Sequence, residues 1–348
     1  MIELYVIKPN KNSSPMLNKM INSAVDGINY ILIDSISDNL NLKNKKLLFA
    51  LELEDIGYDI STIYFLSQLY KKGMDSLSGS TAMVLVHSPS DLGTKRAAQD
   101  LIFLANNLGC SFIGHPLVEA TNSLKNFLTW QKTINIPLED LCLKMCSRTA
   151  NRLMDYNLIK IESPKILVLY SSPHKRSNTL DLWHMVSENL KNYSIKELQI
   201  ENGEVQDCKG CNYNLCIHYG KQNKCFYGGI MIKEVLPSIE ASDIIIWLCP
   251  NYNDSIAANL TAVINRLTVL YRKISFYDKC FFSLVVSGNS GSDSVAKQLI
   301  GSLNINKGFR LPPYFSLIAT ANDPGSIFKI KDIKHEAYKF SKNIMNNI

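Results

Sequence analysis

The strongest constraint on the fold is a regular alternation, from residue 164 onward, between short apolar runs and longer segments with helical periodicity. In one such segment Leu182, Met185, Val186 and Leu190 recur at the spacing of one helix face. Strands that alternate with helices pair in parallel, and a parallel sheet needs helices on both faces. We therefore predict a doubly wound α/β domain. Its strands are expected at 165–170, 195–200, 243–248, 279–287 and 314–320, and its helices at 179–193, 231–242, 256–273 and 293–305.

Composition favours a globular protein and argues against nucleic-acid binding. Of the 348 residues, 46% are hydrophobic and 20% are charged, which is ordinary for a globular chain. The formal net charge is +6, but the basic residues are dispersed among acidic ones. This balance fits a mild attraction for anionic ligands such as phosphates. No run is long enough for a transmembrane helix and no signal peptide is recognisable, so we expect a cytoplasmic protein without a membrane partner.

Three polar loops follow predicted strands at the places where a doubly wound sheet binds its ligands. They read SSPHKRSNT (171–179), CPNYNDS (249–255) and SGNSGS (287–292). Because the carboxyl ends of parallel strands share one edge of the sheet, the loops are expected to converge. The first loop ends in Ser-Asn-Thr at a helix start, where free N–H groups and hydroxyls suit a phosphate. The same three residues would also suit an ordinary helix N-cap.

These loops resemble those of the NAD(P)H-dependent FMN reductases, a branch of the flavodoxin-like superfamily. That family's first loop reads Gly-Ser-Pro-Arg-x-x-x-Asn-Thr, and this chain departs from it at Ser171 and His174. Asn265-Arg266 stands where the family has Asp-Arg. The resemblance implies that the first loop holds the FMN phosphate and that the other two flank the isoalloxazine ring. The residues so implied to bind FMN are Ser172, His174, Ser177, Asn178, Thr179, Pro250, Asn251, Tyr252, Asn253, Ser287, Gly288, Asn289, Ser290 and Gly291.

Four cysteines crowd the segment between the second predicted strand and the next predicted helix. Cys208, Cys211, Cys216 and Cys225 could hold a [4Fe–4S] cluster or tetrahedral zinc, or remain free thiols. The segment resembles the compact motif of the iron–sulfur flavoproteins, a sub-branch of the same family. It departs from that motif because four residues, instead of two, separate the second and third cysteines. The sequence leaves all three possibilities open.

The first half is expected to be a degenerate second copy of the same domain. Aligned with the first loop of the second half, Pro9 and Ser13 fall on Pro173 and Ser177, while Ser14-Pro15 replaces Asn178-Thr179. Glu52, Glu54 and Asp55 stand where a flavin-ring loop would be, and negative charge there disfavours an anionic cofactor. We therefore predict two tandem flavodoxin-like domains, each a five-stranded parallel sheet. The boundaries are 1–155 for the copy that does not bind FMN and 164–348 for the FMN-binding domain with the four-cysteine loop.

The leading functional hypothesis is an FMN-dependent oxidoreductase that takes reducing equivalents from NAD(P)H and passes them to a small-molecule acceptor. The flavin carries the chemistry, so no catalytic side chain is assigned. The alternative is an electron carrier with FMN and a [4Fe–4S] cluster that works with ferredoxin. A third hypothesis is a flavin-free binding or scaffold protein. Flavodoxin-like reductases commonly pair as homodimers, so the two halves are expected to form a pseudo-dimer within one chain. A further homodimer of the whole chain is the open alternative.

Overall fold

The chain folds into two compact units, Met1–Asn157 and Leu158–Ile348. The computed structural model describes residues 3–158, 160–171, 177–201, 203–222, 224–225 and 227–347. In these described residues, no helix is both long and apolar enough to cross a bilayer.

The N-terminal unit contains a parallel sheet of five strands within its described residues, in the order β2-β1-β3-β4-β5. One face is covered by helices α1 and α5, and helix α3 packs on β4 and β5 from the other face. The elements in chain order are β1 Leu4–Ile7, α1 Pro15–Val25, β2 Tyr30–Ile33, β3 Lys46–Glu52, α2 Ile60–Lys72, β4 Thr81–His87, α3 Thr94–Asn107, β5 Ser111–Ala120, α4 Leu128–Ile134 and α5 Leu138–Asp155.

The core of this unit follows from the apolar runs of its central strands. Leu48 and Ala50 on β3 and Met83 and Leu85 on β4 are fully buried and face α1 and α5. Burying such side chains against a helix pair is the main favourable term for a layered α/β domain.

The C-terminal unit repeats this topology with the strand order β10-β9-β8-β6-β7, all pairs parallel. Helices α6 and α12 lie together on one face, and α11 packs on β9 and β10. The elements are β6 Lys165–Tyr170, α6 Asn178–Ser187, β7 Ser194–Gln199, α7 Tyr213–Lys221, α8 Leu236–Ala241, β8 Ile244–Pro250, α9 Ala258–Arg266, α10 Thr268–Tyr271, β9 Cys280–Ser287, α11 Ser292–Leu299, β10 Ser316–Thr320 and α12 Ile333–Asn346.

The predicted fold class is confirmed: both units are doubly wound five-stranded parallel sheets in the described residues. The helix predicted at 256–273 was wrong in its extent, because it divides into α9 and α10. Leu267, between them, has φ −55° and ψ −20°, the tighter geometry of a 3₁₀ turn. Helix α7, inside the four-cysteine segment, was not predicted. It begins where the Asn212 side chain accepts a hydrogen bond from the N–H of Asn214, an N-cap interaction.

Candidate functional site

A cleft of about 500 Å³ opens at the carboxyl edge of the C-terminal sheet. Loops that follow β6, β8, β9 and β10 contribute to it, as expected for a doubly wound sheet. Eight of the residues predicted to bind FMN lie on its wall, and none of the described lining residues is charged. The lining residues are Ser177, Asn178, Thr179, Pro250, Asn251, Tyr252, Val286, Gly288, Asn289, Ala321 and Asn322.

The start of helix α6 forms one wall of the cleft. Ser177 is its N-cap residue, with the extended backbone of φ −139° and ψ 127°. The first turn of any α-helix leaves N–H groups without intrahelical partners, and these groups favour an anion. Thr179, in the first turn of this helix, is only 4% exposed and lines the cleft. Ser172 and His174, predicted for the same loop, lie outside the described residues.

Asn178 has its side chain engaged with the loop that follows β10. Its Nδ2 donates to the carbonyls of Ala321 at 3.0 Å and Asp323 at 2.9 Å. Its Oδ1 accepts from the N–H of Gly325 at 2.9 Å and of Ile327 at 3.4 Å. The side chain thus positions a wall of the cleft. A contact between Asn178 and the FMN phosphate stays a prediction.

The second loop is a tight turn held in place by its own backbone. Asn253 and Asp254 both have positive φ, 52° and 57°, which is the arrangement of a type I′ turn and suits Asn and Asp. Tyr252 and Ser255 pair across the turn, and Tyr252 stays 49% exposed at the cleft. Asn253 itself does not line the cleft.

The third loop packs closely on its neighbours at two glycines, and Gly291 is required by its positive φ. Gly291 has φ +83°, and a Cβ there would collide with Oδ1 of Asp254. A Cβ at Gly288 would lie 2.8 Å from Oδ1 of Asn322. Asn251 Nδ2 donates to the carbonyl of Ser290 at 2.8 Å, which ties the second loop to the third. Behind these loops, the hydroxyls of Ser287 and Ser292 are hydrogen-bonded to each other.

Two buried polar atoms at this edge lack a hydrogen-bond partner among the described residues: Ser171 Oγ and Asn251 Oδ1. A buried polar atom without a partner is costly, so such atoms mark a place where a ligand or water completes the bonding. A neutral cleft with a helix N-terminus and unpaired polar atoms fits a ligand with a phosphate and a polar ring edge. The residues present therefore fit FMN.

Sequence reasoning missed three residues of the cleft wall, Val286, Ala321 and Asn322. The last two belong to a polar turn, ANDPG, that follows the fifth strand of the unit. The signal that could have found them is the same rule that found the other loops, since this turn also follows a parallel strand.

The four predicted cysteines line one second cavity of about 250 Å³. Cys208 is exposed, and Cys211, Cys216 and Cys225 are partly buried. Among the residues that the structure describes, no group of three His, Cys, Asp or Glu side chains is placed to hold a metal ion.

Helix α9 holds both ends of the four-cysteine segment. Arg266, which is 3% exposed, donates through Nη1 to the carbonyl of Gln206 at 3.3 Å and through Nη2 to that of Gly228 at 2.8 Å. Asn265 Nδ2 donates to Oδ1 of Asp207 at 2.8 Å. Asn265 and Arg266 thus hold the two ends of the segment that forms this cavity.

The same edge of the N-terminal unit is closed by its own side chains. The N–H of Ser14, the N-cap residue of α1, donates to Oε2 of Glu52 at 2.8 Å. His87 Nδ1 is hydrogen-bonded to Oε1 of Glu52 and lies 3.0 Å from the Ser14 hydroxyl. Burial raises the pKa of Glu52, but the hydrogen bonds from His87 and Ser14 outweigh it and hold that pKa below its usual value. Glu52 thus carries a carboxylate at the helix start.

Residues 164–323 match the family model described as NADPH-dependent FMN reductase. None of the curated protein sequences matches the chain. The chain is similar to the solved structure of an azoreductase from Bacillus anthracis str. Sterne, with 13% identity over 53% of this chain and 100% of that one, at a TM-score of 0.40. An NAD(P)H:quinone oxidoreductase from Methanothermobacter marburgensis has 14% identity over 52% of this chain and 96% of that one, at a TM-score of 0.41.

The family match covers every strand of the C-terminal sheet, the cleft and the four-cysteine segment. The TM-scores of the two solved structures are low, so these structures add no support to the family match. The C-terminal unit of this chain is therefore an oxidoreductase domain of the NADPH-dependent FMN reductase family.

Proposed function

We propose that this chain is an FMN-dependent NAD(P)H oxidoreductase that binds one FMN in the cleft of its C-terminal unit. Its acceptor would be a small molecule of the flavin, quinone or nitro type. The observation that carries the proposal is the uncharged cleft at the start of α6, whose wall includes Asn251 with its unpaired Oδ1.

In this proposal, the start of α6 holds the phosphate. The N–H groups of the first helical turn and the Thr179 hydroxyl are the donors, and the helix dipole favours the negative charge. The Asn178 side chain keeps the loop after β10 in place, and so fixes the opposite wall.

The second and third loops would hold the ring. Asn251 Oδ1 offers an acceptor and Tyr252 an exposed aromatic face. Gly288 and Gly291 let the two loops approach closely. FMN, when bound, would accept a hydride from NAD(P)H and deliver reducing equivalents to the acceptor, so the protein needs only to bind, orient and shield it.

The test is spectroscopic. Purified protein should show flavin absorption, or gain it with added FMN, to one FMN per chain. Anaerobic addition of NADPH should bleach it. Protein that stays colourless and binds no added FMN would refute the proposal.

A second candidate is the electron carrier with FMN and a [4Fe–4S] cluster that works with ferredoxin. What favours it is that all four cysteines line one cavity. Iron and sulfide analysis of protein purified without oxygen decides between the two functions. Iron that disappears in a Cys208→Ser, Cys211→Ser variant, with FMN retained, would support the carrier. Zinc alone, or no metal, would leave the small-molecule reductase as the function.

A further inference from the structure

The cavity lined by the four cysteines is strongly cationic. Lys209, Lys224, Arg266 and Arg272 lie on its wall, and no carboxylate is among its described lining residues. Asp207, on the same segment, accepts from Asn265 and from the N–H of Cys208 and does not line the cavity. Such a concentration of one sign of charge favours an anionic ligand.

One buried donor of this cavity is unused. The Nε of Arg266 has no hydrogen-bond partner among the described residues, although both Nη atoms of the same guanidinium are bonded. The residue is 3% exposed, so water does not readily serve it. Leaving a guanidinium N–H buried and unpaired is costly, which indicates that a ligand supplies the missing acceptor.

The rest of the wall is aromatic and apolar. Tyr213, Tyr219 and Tyr227 line the cavity beside Val269 and Leu215. Arg272 stands over the ring of Tyr213 at 4.7 Å, and Lys209 over the ring of Tyr227 at 4.8 Å. Rings paired with cations suit a ligand that combines an aromatic base with a phosphate.

The cavity and the flavin cleft lie along the same edge of the sheet. The four-cysteine segment follows β7, and Asn259 of α9 donates to the carbonyl of Ile200, at the end of that strand. Helix α9 begins just after the Tyr252 turn, and its last residues, Asn265 and Arg266, line the cavity. The helix that ends at the cavity therefore begins six residues after Tyr252, a residue of the cleft wall.

We propose that the four-cysteine cavity is the site that binds the adenosine 2′-phosphate end of NADPH, the cosubstrate named in the description of the matched family. This inference rests on the proposed function, since it assigns the distal end of the cosubstrate. Arg272 and Lys224 bind the 2′-phosphate, and the tyrosines contact the adenine. The ligand also supplies the hydrogen-bond acceptor that the Nε of Arg266 lacks. NADH has a hydroxyl in place of the 2′-phosphate and leaves the cations unpaired.

The experiment compares two neighbouring charges on the wild-type chain. Arg272 lines the cavity, whereas Lys273 does not and pairs with Glu240 at 2.7 Å on the surface. Calorimetric titration uses adenosine 2′,5′-bisphosphate, AMP and inorganic phosphate. We expect the bisphosphate to bind most tightly of the three. Arg272→Gln should weaken its binding about tenfold, because one hydrogen bond to a charged group is lost. Lys273→Gln should leave its binding unchanged.

Kinetics supply the second readout. Arg272→Gln should raise KM for NADPH about tenfold and leave KM for NADH and the FMN affinity unchanged. No binding of the bisphosphate, equal binding of AMP, or equal effects of the two variants would overturn the inference. Iron bound by these cysteines would also overturn it. Failure of the chain to bind FMN would instead refute the proposed function, and the titration reads the cavity independently of FMN.

Discussion

The carboxyl edges of the two sheets share one topology and differ at two strand ends. Glu52 and His87 form the last pair between β3 and β4, and Pro250 and Val286 form the last pair between β8 and β9. The next N–H after each pair bonds in the same way, from Leu53 to His87 and from Asn251 to Val286. In the C-terminal unit these positions are apolar and line the cleft. In the N-terminal unit they carry a carboxylate and an imidazole.

The difference shows how little is needed to close such a site. Ser14 and Ser177 are the N-cap residues of the equivalent helices α1 and α6. In the N-terminal unit the Ser14 N–H already donates to Glu52. An internal carboxylate therefore sits where a phosphate would bind, and like charge excludes a second anion. This arrangement is the physical reason for the prediction that the N-terminal unit binds no FMN.

The largest effect is expected from moving this carboxylate to the other unit. Pro250→Glu should weaken FMN binding at least about 100-fold, because an anion at the helix start repels the phosphate by several kcal/mol. Fluorescence titration of FMN measures the change.

Pro250→Gln is the matched control, because it has the same size and restores the same N–H without the charge. It should lose much less affinity. Equal losses in the two variants would show that charge is not what distinguishes the units.

The next largest effect on FMN binding is expected at one of two equivalent glycines. Gly93 and Gly291 are the N-cap residues of α3 and α11, with φ of 88° and 83°. Gly291→Ala should weaken FMN binding roughly 10- to 100-fold, because the strained residue displaces Asp254 and with it the second loop.

Gly93→Ala bears the same backbone strain, with its Cβ 3.2 Å from the Cα of Gly57. It should lower stability and leave FMN affinity unchanged. A loss of FMN affinity in Gly93→Ala would mean that the N-terminal unit contributes to flavin binding after all.

The fold could be predicted from sequence because buried parallel strands read as apolar runs, such as 243–248 and 279–287. The cleft loops followed from the strand ends. What escaped prediction depends on contacts between distant segments. The loop after β10 is fixed by Asn178, about 145 positions earlier in the chain. Three-dimensional packing also decides which residue of a loop caps the following helix. The predicted alignment of Ser13 with Ser177 was therefore wrong by one residue, because the N-cap residue equivalent to Ser177 is Ser14.

The third prediction separates two neighbours at the start of α6. Thr179→Ala should weaken FMN binding about tenfold, because one hydrogen bond to a charged group is lost. Thr179→Ser keeps the hydroxyl and should bind FMN nearly as tightly as the wild type. Asn178→Ala should instead lower the free energy of unfolding by about 1–3 kcal/mol, because the loop after β10 loses its partners. Denaturant unfolding and FMN titration of each variant measure both quantities. If Asn178→Ala loses FMN affinity at unchanged stability, Asn178 binds the phosphate directly through its side chain.

The smallest effect concerns the carboxylate that closes the N-terminal unit. Glu52→Gln should lower the free energy of unfolding by about 1–2 kcal/mol at neutral pH, because the Ser14 N–H and His87 lose a charged acceptor. The FMN stoichiometry should stay at one per chain. The pKa of Glu52 is lowered in the fold, so its stabilisation is complete above its unfolded pKa of about 4.3 and fades as the pH falls through the lower folded value. The difference between wild type and Glu52→Gln should therefore shrink on acidification. Amide hydrogen exchange of the peptide that contains Ser14 reports this locally, with the exposed Glu54→Gln as control. A gap that does not shrink on acidification, or equal loss of protection in Glu54→Gln, would mean that the Glu52 charge does not hold this edge closed.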